Sequence, residues 1–420
     1  MRNWAGTIDF GAARIVRPET VDALRRAVAE SERVRATGTC HSFSGVLSPA
    51  STVVRLDGLP RTVDVDPDAR TVTVSAGLRY AEVADALHRE GFALANLASL
   101  PDITVAGAVA TGTHGSGDTV GSLAAAVTGL ELVGPDGDLV RLRRDVDRDT
   151  FSGSVVSLGA LGVIVRVTLE IEPSFEVAQS VRVGVPLEAV PDRFDEVFGA
   201  AYSVSVFTTW QGEANLWLKR RTDRPAPEPA LGTRADAPLN PVPGTDPAPC
   251  TAQLGVPGPW HERLPHIRTG TAPLLGDELQ SEYFLPRSAA PAAFAALRGL
   301  GGALAPVLQV GEVRTVRGDD LWLSPAYGQD SVAFHFTWVK DPDRVAPVIA
   351  AVEEALVPLG ARPHWAKLTA MPAPAILARY PRAADFGELR HKADPGGKFG
   401  NDVVDALFPQ RDHPQRDRGA

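Results

Sequence analysis

Cysteine is nearly missing from this chain: there are two in 420 residues, Cys40 and Cys250, far apart. That excludes a disulfide framework and any cysteine-based metal spacing, and no metal is expected. No apolar run reaches the roughly 20 residues that a membrane-spanning helix needs. Basic clusters are missing too. Arginines are scattered and the net charge is −9, which argues against nucleic acid or an anionic membrane as partner. The opening MRNWAGTIDFGA has neither a basic n-region nor an apolar h-region, so no signal peptide is expected and a cytoplasmic location is. At 420 residues the chain exceeds one ordinary core, so two domains are expected.

What the chain does have is small residues gathered in two loops. Arg33–Ser44, RVRATGTCHSFS, reads as a short strand through Val34 and Ala36 running into a turn that delivers His41 between Cys40 and Ser42. Gly38 permits positive φ, and the N–H groups of such a turn can form a nest for an anion such as a pyrophosphate. In Thr104–Gly117, TVAGAVATGTHGSG, nothing exceeds valine in size except His114. Gly107, Gly112, Gly115 and Gly117 leave the backbone bare, and Thr111, Thr113 and Ser116 offer hydroxyls. Taken singly, these are a loop with a surface histidine and a Gly-rich bend. Neither continues into GK[ST], and neither has GxGxxG spacing. Together, flanking a strand-rich region, they point to a nucleotide cofactor held by an uncommon fold.

Periodicity predicts helices over Glu19–Ala29 and Tyr80–His88, and strands over Val53–Leu56, Val63–Val65, Thr71–Ser75, Leu130–Val133, Leu139–Leu142 and Val163–Ile171. After Pro173 the texture changes. Residues 222–259 are crowded with proline (RPAPEP, NPVPGTDPAPC), as in an irregular excursion or lid. Strands are expected again near Glu278–Leu285, Val310–Arg314 and Val332–Trp338, with helices near Pro291–Leu300 and Pro347–Leu356. Helices and strands mix without a regular βαβ period, so the fold class is α+β.

Polar residues sit where these later strands should be apolar. Glu312 and Arg314 are two apart and share one strand face; His335 and Thr337 repeat that spacing, with Phe334, Phe336 and Trp338 on the other face. His364 and Lys367 lie in RPHWAK. Taken one at a time these are a cross-strand ion pair, a satisfied histidine and a solvated loop end. Beside the two loops, they read as a charged pocket.

GxxHS in the first loop and AGAVATGTHGSG in the second resemble the FAD domain of the vanillyl-alcohol-oxidase-type flavoproteins, and within them the alditol oxidases. LASLPDITVAGAVATGTHGSG, SLGALGV, GVPGPWHERLPH, LQSEYFLPR, EVRT, LWLSPAYG, HFTW and RPHW-K carry the resemblance along almost the whole chain. It implies an FAD domain built from both chain ends (1–172 and 376–420) around a substrate domain (173–375) with an antiparallel sheet backed by helices. It implies FAD bound covalently through His41 by an 8α-histidyl link. Ala36, Thr37, Gly38, Thr39, Cys40, Ser42, Ser99, Thr104, Gly107, Thr111, Gly112, Thr113, His114, Ile164 and His364 would lie beside the cofactor.

By the same resemblance Ser99, Glu312, Arg314, Thr337 and Lys367 would bind a polyol, and Lys367, His335, Arg314 and Glu312 would surround the chemistry. Oxidising an alcohol requires a base for the hydroxyl proton, and Lys367, made less basic by Arg314, is expected to serve with His335. The implied reaction takes the terminal alcohol of xylitol, sorbitol or glycerol to the aldose and O₂ to H₂O₂, in a monomer. The alternatives are an aldonolactone oxidase or dehydrogenase and a non-catalytic sugar-binding relative. Three positions depart from the family pattern: Cys40 and Ala366 stand where glycine is usual, and Asp102 where histidine is common.

Overall fold

A computed structural model describes residues 2–9, 14–48, 51–225, 229–271 and 277–410. Two sheet systems carry the N-terminal part. Arg14–Val16, Thr52–Arg55 and Val34–Thr37 form a parallel three-stranded sheet with Thr52–Arg55 in the middle. Parallel pairing needs a crossover, and helix Val21–Glu30 supplies one; the Thr20 hydroxyl caps it by accepting from the Ala23 N–H. The second sheet is antiparallel, in the order Val63–Asp66, Thr71–Ser75, Val163–Glu170, Val127–Val133, Leu139–Arg143. Helices Tyr80–Arg89 and Val105–Ala110 bury Val83, Leu87, Val105 and Val109 in the same core. The far end of the chain returns there: Phe386, Phe399, Val404, Leu407 and Phe408 share that core, as do Leu321, Trp322 and Trp365 from the middle.

The middle of the chain forms one large antiparallel sheet. Its order is Thr233–Arg234, Glu176–Pro186, Glu213–Arg221, Ser203–Thr208, Leu308–Val316, Ser331–Val339, Glu278–Pro286, Arg362–Pro363, with Pro257–Pro259 also on Glu176–Pro186. One face carries Val204, Val206, Leu216, Val313, Phe334, Phe336 and Trp338, all fully or almost fully buried. Helices Ala290–Gly299 and Pro342–Leu356 cover it, burying Phe294, Leu297, Val345, Ile349 and Val352. The other face, one residue out of phase, bears the charged side chains. The architecture is therefore the α+β arrangement with a helix-backed antiparallel sheet. Among the described residues no helix is long and apolar enough to cross a membrane.

The structure differs from the sequence reading at three points. The strands Glu176–Pro186, Ser203–Thr208 and Glu213–Arg221 were not expected; Ser203–Thr208 alternates small polar and apolar residues (SVSV), as a strand does, and is buried on both faces. The helix expected over Pro347–Leu356 begins at Pro342 instead: the Asp341 carboxylate accepts from Arg344 N–H and Pro342 fills the first position. Pro347 sits inside it because Val345, Ile349, Val352 and Leu356 form one buried stripe. The proline-rich stretch is fastened down rather than free. Gly255 N–H donates to Gln179 O at 2.7 Å, and Leu239 and Val242 pack on Val181, Phe207 and Trp217. Residues 226–228 of that stretch, and 411–420 of the tail, lie outside the described residues.

Phe334 is wholly buried against Phe294 and Trp210, with ring centroids 5.5 and 6.0 Å away, on the face turned from the charges. Phe334→Ala is expected to cost about 3–5 kcal/mol through lost burial and an unfilled cavity. Denaturant unfolding followed by circular dichroism checks this.

Candidate active site

Both small-residue loops are shaped by contact with other backbone and with each other. At Gly38 a Cβ would lie 1.8 Å from Thr104 Oγ1, so only glycine lets the first loop meet the second. At Gly115 a Cβ would lie 2.1 Å from Asn96 Oδ1 and 2.3 Å from Leu97 O. The first loop is then fixed from distant segments. Trp4 N–H donates to Cys40 O at 2.8 Å, Asn3 Nδ2 to Ser42 O at 2.9 Å, and Phe43 N–H to Ala366 O at 2.7 Å. His41 is thereby set between Trp4 and Phe43, ring centroids 4.8 and 5.9 Å away. Burial, then Lys367, brings its pKa down to about 3, so the ring is neutral at physiological pH. Cys40 has φ +57°, the left-handed region, which accounts for the usual glycine there.

The second loop runs onto the large sheet: Gly117 N–H donates to Thr315 O at 2.9 Å. This puts His114, buried, with Nδ1 2.8 Å from Gly115 O and Nε2 3.0 Å from Glu282 Oε1. Burial, followed by Arg314, lowers its basicity.

The register of the large sheet assembles the charges. Glu282, His335 and Glu312 are direct cross-strand partners in one row. From the next position Arg314 donates to Glu282 Oε1, places Nε 3.5 Å from Glu312 Oε2, and donates to Ser99 Oγ at 3.4 Å. Burial opposes ionisation of both carboxyls, but Arg314, with His114 beside Glu282 and His266 beside Glu312, holds both well below the usual carboxylate range. His335 Nε2 lies 3.2 Å from Thr337 Oγ1 and Nδ1 3.5 Å from Glu282 Oε2. Burial, then Lys367, lowers its pKa. Lys367 donates to Gln280 Oε1, and its ammonium sits 5.4 Å from the Phe43 ring centroid. Its pKa falls to about 8, chiefly from burial, with Glu282 opposing and Arg314 adding a smaller push. The expectation that Arg314 sets Lys367's basicity is corrected accordingly: burial does so first.

A single cavity of about 1010 Å³ joins these groups, at the upper end for small-molecule sites. Its wall includes Ala36, Thr37, Gly38, Thr39, Cys40, His41, Ser42, Ser99, Thr104, Gly107, Thr111, Thr113, His114, Ile164, Glu312, Arg314, His335, His364 and Lys367. Two predicted residues are not in the wall. Gly112, at φ +69°, turns towards Pro325, whose Cδ a Cβ would meet at 3.0 Å. Thr337 stands two residues along the same strand face as His335, whose Nε2 its hydroxyl meets at 3.2 Å, and is paired across the sheet with Gln280, which does line the cavity.

Sequence reading missed Glu282 and Gln280, although they show the same two-residue spacing as Glu312 and Arg314. It also missed His266, whose Nε2 is 3.1 Å from Glu312 Oε1; no local pattern marks that contact. Asp102 sits in the cavity wall and accepts from Gly270 N–H at 2.7 Å. His114, Glu282 and His364 bring ligand atoms within 4.8 Å of one another, as a metal site would. The Arg314 guanidinium already holds the shared Glu282 oxygen, however, and a second cation there would be repelled.

Residues 12–143 match the family described as FAD binding domain, and residues 275–407 the family described as D-arabinono-1,4-lactone oxidase. An alditol oxidase from a Streptomyces species is 50% identical over 97% of this chain and 98% of its own. The chain belongs to the alditol oxidase family. It is an FAD-dependent oxidoreductase. More distant relatives are the L-gulonolactone oxidase of Scyliorhinus torazame, 27% identical over 97% of each chain, and the L-gulono-1,4-lactone dehydrogenase of Mycobacterium tuberculosis, 28% identical over 96% of this chain and 97% of its own. A cholesterol oxidase from Brevibacterium sterolicum has the same fold, with a TM-score of 0.78 over 97% of this chain and 96% of that one at 15% identity. The matched FAD segment contains both small-residue loops, and the second match contains Glu282, Glu312, Arg314, His335 and Lys367.

The residues present fit FAD. Thr37 Oγ1 is buried without a hydrogen-bond partner beside the cavity, and at Gly107 a Cβ would crowd Thr104 Oγ1 at 2.9 Å. Cys40→Gly is expected to relieve the left-handed strain and raise stability by roughly 0.5–1 kcal/mol, measured by thermal unfolding of the flavin-loaded protein.

Proposed function

We propose that this protein oxidises the terminal primary alcohol of acyclic polyols such as xylitol, sorbitol and glycerol to the aldose, with O₂ reduced to H₂O₂ and FAD attached covalently through His41. We place the cofactor in residues 1–172 and 376–420 and the substrate in 173–375. The observation that carries the reading is the convergence of Glu312, Arg314, His335 and Lys367 on the same cavity that His41 and His114 line. FAD, when bound, supplies a two-electron acceptor that no side chain offers.

Glu312, ionised, accepts hydrogen bonds from substrate hydroxyls, and Ser99 helps to fix their position. Arg314 offers positive charge where an alkoxide develops. Of the two candidate bases, Lys367 is the better placed. His335 Nε2 is taken up by the Thr337 hydroxyl, and its Nδ1, which makes no hydrogen bond, faces the Glu282 carboxylate at 3.5 Å. Lys367 gives one hydrogen to Gln280 and keeps the rest of its nitrogen for the substrate. His41, neutral and wedged between two rings, is a competent nucleophile for a covalent link.

The match of residues 275–407 to a lactone oxidase family keeps a second reading in view, oxidation of an aldonolactone at the same site. Following H₂O₂ with xylitol, sorbitol and L-gulonolactone separates the two; turnover of the lactone alone overturns the polyol reading. With xylitol, kcat/KM is expected to rise with pH through about 8 as Lys367 loses its proton. Lys367→Met should lower kcat by at least about 100-fold and abolish that rise.

His41→Ala is expected to lose the yellow colour that stays with acid-precipitated parent protein. An acid-stable flavin in the variant would place the link elsewhere.

A further inference from the structure

A second layer of polar residues lies behind Glu312, out of reach of the cavity. After the short helix Trp260–Arg263 the chain crosses the charged face of the sheet, where His266 N–H and Ile267 N–H both donate to Ser99 O, at 3.0 and 3.1 Å. Thr251 N–H donates to His266 O at 2.9 Å. The imidazole stands edge-on to Phe207 and Trp217, ring centroids 5.2 Å away in each case and interplanar angles of 77° and 84°. It is 5% exposed and absent from the cavity wall. Its Nε2 lies 3.1 Å from Glu312 Oε1 and 3.2 Å from Ser205 Oγ, while Nδ1 is buried without a partner. Lys219, on the same face, donates to Leu264 O.

We propose that His266 is a positioning residue that fixes the Glu312 carboxylate from behind and so makes it an acceptor for two neighbouring hydroxyl groups of an acyclic polyol. This rests on the reading above that Glu312 meets the substrate. An ionised carboxylate can only accept, so the ring nitrogen 3.1 Å from it is the donor and the ring is the neutral Nε2–H tautomer. The partnerless Nδ1 agrees, since a second N–H there would be stranded in an apolar pocket. Burial, then Lys219, lowers the ring's pKa to about 4, against the pull of Glu312. With Oε1 held by His266 and Oε2 3.5 Å from the Arg314 Nε, the carboxylate is restrained from behind, and the lone pairs it keeps are available to the cavity that Glu312 lines. A hydroxyl pair satisfies them; a carbonyl oxygen in the same place meets lone pair against lone pair.

Three variants of the flavin-loaded enzyme test this, with kcat and KM measured separately for xylitol. His266→Phe keeps a ring between Phe207 and Trp217 but has no donor; His266→Gln restores a donor near the position of Nε2. The expected result is an increase in KM of about 10- to 100-fold for His266→Phe, the range for a hydrogen bond to a charged group. Its kcat should stay within about threefold of the parent's, and His266→Gln should return KM to within about threefold. Parent-like KM in His266→Phe, with Glu312→Gln raising it, overturns the role of His266 and leaves the substrate assignment standing. Parent-like KM in Glu312→Gln overturns the substrate assignment itself. Equal losses in kcat and thermal stability that glutamine does not rescue would make His266 merely structural and also overturn the proposal. If His266→Phe yields no folded protein, His266→Asn, whose amide is too short to reach Oε1, is judged by the same KM criterion.

Discussion

A guanidinium between two carboxylates, all three shut away from water, is the interaction the remaining structure depends on. Arg314 is 5% exposed, Glu312 5% and Glu282 1%. Removing such groups from water costs several kcal/mol each, and a single attraction at 4 Å returns about 4 kcal/mol at a typical effective dielectric. The arrangement holds only because every charge has more than one partner. Glu282 takes Arg314 and His114; Glu312 takes Arg314 and His266; Arg314 reaches Ser99 as well. Those partners come from four separate parts of the chain. The charges therefore fix the sheet's register and also pull the second loop, and the segment after the proline-rich stretch, onto the sheet.

Much of this was legible before any coordinates, for reasons that can be named. The hairpin Val63–Asp66/Thr71–Ser75 and the strands Leu308–Val316 and Ser331–Val339 alternate in the way a sheet with one polar row must. Gly38 and Gly115 stood out because a loop pressed against backbone tolerates no side chain. The strand Ser203–Thr208 was passed over although its SVSV alternates, and both of its faces turn out to be buried. Glu282 was passed over although Gln280 and Glu282 repeat the spacing that marked Glu312 and Arg314. His266 could not be found at all, since its meaning lies in a contact across 46 residues with Glu312. Long-range polar contacts leave no periodic trace.

Burial acts on the basic groups of the site in one direction. His41, His114, His335, His364 and Lys367 all have lowered pKa values, each first because the charged form is poorly solvated. Histidines that begin near 6.5 are thereby favoured in their neutral form. A lysine that begins near 10.5 is brought to about 8, where a neutral amine is within reach. The same enclosure that keeps the imidazoles neutral brings the lysine towards its neutral, basic form.

The loop that carries His41 shows what this costs in chain organisation. Its backbone is held by Asn3 and Trp4, by Ala366, and next to it Ser44 Oγ donates to Trp365 O. Asn401 Nδ2 donates to Gly45 O, Val46 O and Ser48 O just beyond, while Arg35, on the strand before it, donates to Phe399 O. Contacts spanning more than 300 residues tie this loop to the far end of the chain, at an entropy cost of closure that grows only slowly with their length. Cys40 at φ +57° adds local strain that only these contacts repay. The placing of His41 therefore depends on the tail and on the Trp365–Ala366 segment as much as on its own loop.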